Sequence, residues 1–174
     1  YKSVSKSFNL SSMRCAYMFS TNREYLDRIT GPGQLRQAMS PLAVVAAEAA
    51  YNECEEWLDQ LVEYIDGTQT FVESFIRANV PCVEFAKPEG TYLAWLDVRE
   101  ALDKTGVTKM AAASDSSTPE SIFQRYLVEH ASIHINPGSN YGLGGSDCMR
   151  MNIATSRQLV ERALSNMARA LKNA

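Results

Sequence analysis

The chain has 174 residues, 45% hydrophobic and 21% charged, a balance typical of soluble globular proteins and enough length for one domain or parts of two. Its formal net charge of -3 is spread over interspersed acids and bases, without the Lys/Arg stripe that neutralises a nucleic-acid backbone. The longest apolar stretch, Pro41 to Ala50, is broken by Glu48 and is too short to span a bilayer.

In chain order, a polar segment, Ser3-Val4-Ser5-Lys6-Ser7, precedes a weakly alternating stretch from Met13 to Phe19 that predicts a strand. Asn22 caps a short helix through Ile29, and Gly31-Pro32-Gly33 breaks it. Ala, Leu and Glu dominate Gln34 to Tyr51, a helix with Pro41 as a kink or boundary. Apolar residues recur at three and four positions from Cys54 to Ala78, which predicts one long amphipathic helix, bent at Gly67 if anywhere. Strands at Cys82 to Phe85 and Thr91 to Leu96 form a hairpin across Lys87-Pro88-Glu89-Gly90.

Residues 104–118 are small and polar and predict a mobile surface loop. Thr118 then caps a helix with Pro119 in its first turn, placing Ile122, Phe123, Tyr126 and Leu127 on one face. Strands at Ser132 to Asn136 and Cys148 to Ala154 flank a glycine-rich link. The last helix runs from about Arg157 to Lys172, apolar at Val160, Leu164, Met167 and Leu171. This order fits helices covering one side of a small mixed sheet.

The four cysteines, Cys15, Cys54, Cys82 and Cys148, stand far apart without a Cys-x-x-Cys pair, and there are only two histidines. A zinc site is not expected. Single, widely spaced cysteines read as buried thiols of a reducing compartment, which predicts the cytoplasm. No leader is visible, but the chain begins at Tyr1 without a methionine, so this says little about targeting.

Lys6 offers an amine, Ser3 a hydroxyl and Arg14, eight residues past the lysine, a forked guanidinium. A lysine among serines is ordinarily a solvated loop residue, and Lys2 is a competing amine. Arg150 lies between Met149, Met151 and Ile153, where burial without an anion is costly. A structural ion pair is the equal alternative for it. For Trp57, Tyr92 and Trp95 core packing is the preferred reading; for Gly138 and Gly142 shaping of a loop near the site is slightly preferred to a plain turn.

Ser3-Val4-Ser5-Lys6 with Arg14 resembles the pyridoxal-phosphate (PLP) attachment segment of class I/II aminotransferases. Arg150-Met151-Asn152-Ile153-Ala154 resembles the superfamily's Arg-x-Asn-x-Ala/Gly strand, and Pro137-Gly138-Ser139-Asn140-Tyr141-Gly142 its "PGxxFG" loop. Glu89-Gly90-Thr91-Tyr92-Leu93-Ala94-Trp95-Leu96-Asp97 resembles a strand of the cystathionine β-lyase-like C–S lyases, as do Glu48-Ala49-Ala50-Tyr51 and Glu56-Trp57-Leu58. The resemblance covers essentially the whole chain, and its strength lies in the joint order of the segments. It implies an α/β, PLP-dependent transferase-like fold: residues 1–52 as the end of the large, PLP-binding domain, and 53–174 as the C-terminal small α+β domain.

The resemblance further implies that Lys6 forms the Schiff base with pyridoxal 5'-phosphate and moves the Cα proton. Ser3 and Arg14 would hold the phosphate, and Arg150 the α-carboxylate of a small amino-acid substrate. Members are about twice this length, so a missing N-terminal half would supply the remaining cofactor contacts, and the intact protein is expected as a homodimer. The reaction would be C–S β-elimination or transamination. The hairpin and Trp57 segments lean to the lyase, whereas Arg14 pulls toward the aminotransferases. The alternative is an aminotransferase-like effector-binding domain of a transcription regulator. No metal, nucleic-acid or membrane partner is expected.

Overall fold

Short turns build the beginning of the chain, and helices with a small sheet the rest. The computed structural model describes residues 1–31, 40–114 and 116–174. Two compact units divide these at Val62/Glu63.

In the first unit, β1 (Lys2–Ser3) leads into a single turn of helix, α1 (Val4–Ser7), and a 3-10 turn at Ser11–Met13 precedes β2 (Ala16–Tyr17). β1 and β2 pair antiparallel, Lys2 opposite Tyr17 and Ser3 opposite Ala16. The strand expected over Met13 to Phe19 is thus reduced to two residues, because Arg14 takes a left-handed backbone, φ 50°, that no strand accommodates. In α2 (Arg23–Thr30) the cap is as expected: Asn22 Oδ1 accepts from Tyr25 N–H. The break assigned to Pro32-Gly33 and the helix start at Gln34 lie outside the described residues. α3 (Pro41–Glu53) begins with Pro41 in its first turn, so the proline starts a helix rather than kinking one. Val4, Cys15, Ala43 and Ala50 form a small core, with Phe8, Leu10 and Ala47 packed against it.

α4 (Glu55–Asn79) is the long helix its periodicity predicts, and the border between the units falls within it. Its part in the second unit buries Thr68, Gln69, Val72 and Ile76, one stripe at helical spacing. Each such aliphatic side chain contributes about 1.5–3 kcal/mol. β3 (Glu84–Phe85) and β4 (Leu93–Asp97) form the expected hairpin. α5 (Arg99–Lys104) follows β4, where no element was expected, and α6 (Val107–Ala112) then occupies the first half of the 104–118 segment expected to be a loop. Tertiary packing decides this: Val107 and Ala111 are buried in the core, and alanines are strong helix formers once one face is covered. Asp115, in the same expected loop, lies outside the described residues.

α7 (Pro119–Ala131) is capped by Thr118, whose Oγ1 accepts from Ser121 N–H at 3.2 Å, and it ends on Ser132 in the left-handed region. β5 (Asn136–Pro137), a 3-10 turn at Gly138–Tyr141, β6 (Cys148–Asn152) and α8 (Arg157–Lys172) complete the unit. The four strands run in the order β3-β4-β6-β5, and every neighbouring pair is antiparallel, so the sheet is not mixed. Ala94 and Leu96 of β4 and Met149 and Met151 of β6 join α4 to α8 in one core that includes Phe123, Leu127, Val160, Leu164, Met167 and Leu171. The opposite face carries Trp95 and Arg150.

Candidate active site

The candidate residues fall into two clusters, one in each unit. In the first, the β1–β2 pairing closes a loop that carries both Lys6 and Arg14. Buried Val4 and Cys15 anchor its two ends, leaving Lys6 and Arg14 exposed. Neither side chain has a hydrogen-bond or ion-pair partner among the described residues. The left-handed backbone at Asn9 and Arg14 costs of order 1 kcal/mol each and keeps the loop tight.

Ser3 is engaged differently. Its Oγ accepts from Ser5 N–H at 3.1 Å, lies 2.7 Å from Ser5 Oγ, and donates to the Cys15 carbonyl at 2.8 Å. A hydroxyl has one proton to give, and this one is spent on holding the loop closed. Ser3 would reach a phosphate only by releasing Cys15. The amine and the guanidinium are both open to a phosphate-bearing aldehyde, because no partner has to be displaced from either.

Phe8, within this loop, is edge-on to Tyr51 at 5.4 Å and stacked on Trp57 at 6.3 Å. Trp57 is nevertheless 46% exposed, so it covers Phe8 rather than filling the core expected of it. The Tyr51 phenol is pushed above the usual range by hydrogen bonding with the Tyr17 phenol, and burial adds to the effect.

The second cluster lies on the outer face of the sheet. Period-two alternation turns Met149 and Met151 into the core and Arg150 away from it, so Arg150 is half-buried and not enclosed by its sequence neighbours. It sits opposite Trp95 on β4 and Asn136 on β5. Its guanidinium carbon lies 3.9 Å from the centre of the Tyr141 ring. The structural ion pair open to it from sequence is absent among the described residues. Asp97 and Asp147, at the start of the strand, are instead taken by Arg99 at 3.4 and 3.7 Å. Trp95 is 38% exposed and meets Tyr141 edge-on at 6.0 Å, which corrects its assignment to the core, whereas Tyr92 does pack against the core.

Gly138 and Gly145 cross so closely that a Cβ on either would overlap the carbonyl oxygen of the other. This crossing shapes the loop that presents Tyr141; Gly142, at φ 104°, turns the chain immediately after it. In the sequence Tyr141 is marked only as one member of the Pro137–Gly142 loop. Its contact with Arg150 has no signal in spacing, since it depends on the glycine crossing. Of the cysteines, Cys15 and Cys148 are buried as expected, while Cys54 and Cys82 are half-buried. A cavity of about 300 Å³ at the α7–α8 packing is lined by Tyr126, His130, Arg169, Ala170, Asn173 and Ala174, none of them a candidate. No described helix is long and apolar enough to cross a membrane, and the described residues hold no metal-binding cluster.

The family model for aminotransferase class I and II matches residues 1–167. A candidate cystathionine β-lyase of Mycobacterium tuberculosis is 33% identical over 97% of this chain and 42% of its own length. The Escherichia coli protein MalY is 30% identical over 98% and 40%. Among solved structures, the PLP-bound C–S lyase of Staphylococcus hominis in complex with the inhibitor L-cycloserine superimposes with a TM-score of 0.82, at 26% identity, over 98% of this chain and 41% of that one. The chain therefore spans about two fifths of the length of the relatives it matches.

Proposed function

Because the chain belongs to the aminotransferase class I and II family, we propose that it is the C-terminal part of a PLP-dependent C–S β-lyase acting on a small amino acid. Residues 1–52 are then the end of the PLP-binding domain and 53–174 the small domain. The observation that carries the reading is Arg150: a guanidinium backed by an aromatic ring, with no acid of the described residues paired to it. Such a group is a receptor for a carboxylate, which it grips through two parallel N–H donors.

Lys6 is the residue that would hold the cofactor and carry a proton to and from the substrate Cα, since its amine is exposed and unengaged. Arg14 would bind the phosphate, joined by Ser3 once its hydroxyl leaves the Cys15 carbonyl. Bound PLP supplies an electron sink for the pair left at Cα. Breaking the Cβ–S bond then releases a thiol, and one water completes the conversion to a 2-oxo acid and ammonia. The relatives named for cystathionine β-lyase and C–S lyase activity support elimination over transamination. The family resemblance supports a homodimer, and the cysteine pattern a cytoplasmic location.

The intact protein, mixed with PLP and reduced with borohydride, tests this by mass mapping. A pyridoxyl adduct on Lys6 is expected, and an adduct on Lys2 or none would overturn it. Product formation from cystathionine then separates the chemistries: a 2-oxo acid made without an added acceptor supports the lyase, and strict acceptor dependence rejects it.

A further inference from the structure

We infer that Tyr141 is a positioning residue for Arg150, setting the plane in which that guanidinium meets the substrate carboxylate. The inference rests on the reading of Arg150 as the carboxylate receptor. A guanidinium is planar, and its N–H donors point outward in that plane. A ring face 3.9 Å from the guanidinium carbon holds the cation by cation–π attraction, which uses up none of its N–H donors in a hydrogen bond or ion pair among the described residues. A salt bridge would do the opposite, consuming the very donors that a substrate needs.

Two features hold Tyr141 in this place, and a third keeps Arg150 free to meet it. Trp95, the register partner of Arg150, meets the tyrosine ring edge-on at 6.0 Å. The Gly138–Gly145 crossing fixes the turn that carries it, packed so closely that a Cβ at Gly138 would also come within 2.8 Å of the Cys148 carbonyl oxygen. Arg99 pairs with Asp97 and Asp147 and so keeps these two acids, at the Cys148 end of the paired strands, from competing for Arg150. The Tyr141 hydroxyl has no hydrogen-bond partner among the described residues, so the ring and not the hydroxyl performs the task.

The test compares Tyr141→Phe, Tyr141→Leu and Arg150→Ala in the intact, PLP-loaded protein. Two readouts are taken: KM against kcat for the amino-acid substrate, and the Kd of propionate, an unreactive carboxylate, from 13C NMR line broadening. Y141F should stay within about two-fold of the unaltered protein on both, because it keeps the ring face. Y141L should raise KM and the propionate Kd by roughly three- to ten-fold, the size of an exposed to half-buried cation–π contact, with kcat within about two-fold. If Y141L loses its native circular dichroism, Tyr141→Met makes the same comparison. An unchanged propionate Kd in Y141L, alongside weakened binding in R150A, overturns the positioning role and leaves the carboxylate reading intact. An unchanged Kd in R150A overturns the carboxylate reading itself.

Discussion

Glu120, in the first turn of α7, accepts a hydrogen bond from the backbone N–H of Asp147 at 2.7 Å, and its side chain is 3% exposed. Asp147 has a left-handed backbone, φ 61°, and its carbonyl accepts from Val98 N–H at 2.9 Å. The next residue begins β6, so this one carboxylate fixes the point from which the strand bearing Arg150 sets out.

Glu120→Ala should therefore destabilise the protein by about 1–3 kcal/mol, since it removes a charged acceptor from the half-buried Asp147 N–H. Glu120→Gln keeps an acceptor and should lose less. Urea midpoints for the two variants check the order; equal losses would mean that volume, not the hydrogen bond, matters at this site.

The glycine crossing makes a sharper contrast. Gly145→Ala pushes a methyl group into the Gly138 carbonyl, and the backbone has to shift, at a cost of about 1–3 kcal/mol or more. Gly90→Ala meets nothing within 4 Å and should be close to neutral. Thermal unfolding reads the difference, and a Gly145→Ala variant as stable as the parent would show that the loop has another way to pass.

Core position governs the cost on α7. Phe123 is fully buried, so Phe123→Ala should cost about 3–5 kcal/mol. Val128, on the same helix and 44% exposed, should change stability by no more than about 0.5 kcal/mol when replaced by Ala. Chemical denaturation of both variants checks this, and similar losses would contradict the assigned inner face.

Burial pushes the Cys148 thiol above the usual thiol range, and its hydrogen bond with Trp95 acts in the opposite direction. The folded state thus keeps this proton where the unfolded chain gives it up. Stability should fall as pH rises above about 8.5, the unfolded thiol value, and go on falling through the raised folded value. Burial raises the Tyr126 phenol too, adding a further loss above about 10. In Cys148→Ala the thiol part of the slope should vanish, and urea unfolding across pH 7 to 10 measures it. Parallel slopes in the two proteins would rule it out.

Much of the fold was legible because it rests on local rules. The caps at Asn22 and Thr118, the proline at the start of α7 and the apolar stripe of α8 are set by residues within one or two turns of each other. The helix at Val107–Ala112 was not legible, since so short a stretch becomes helical only when Val107 and Ala111 find a core made by distant elements. Trp57 and Trp95 went astray for a related reason: hydrophobicity predicts burial on average but does not say which face of a strand or helix is covered.

For the site, the sequence by itself determined the family, the lysine–arginine loop as a candidate and the arginine strand, because each is a contiguous motif whose chemistry is carried by residue type. Only the tertiary structure decided that Ser3 spends its proton on the Cys15 carbonyl, that Arg150 faces away from its methionines without an acid partner, and that Tyr141 lies beneath it. Those facts depend on strand register and on one backbone crossing, which join residues far apart in the chain and leave no trace in local spacing.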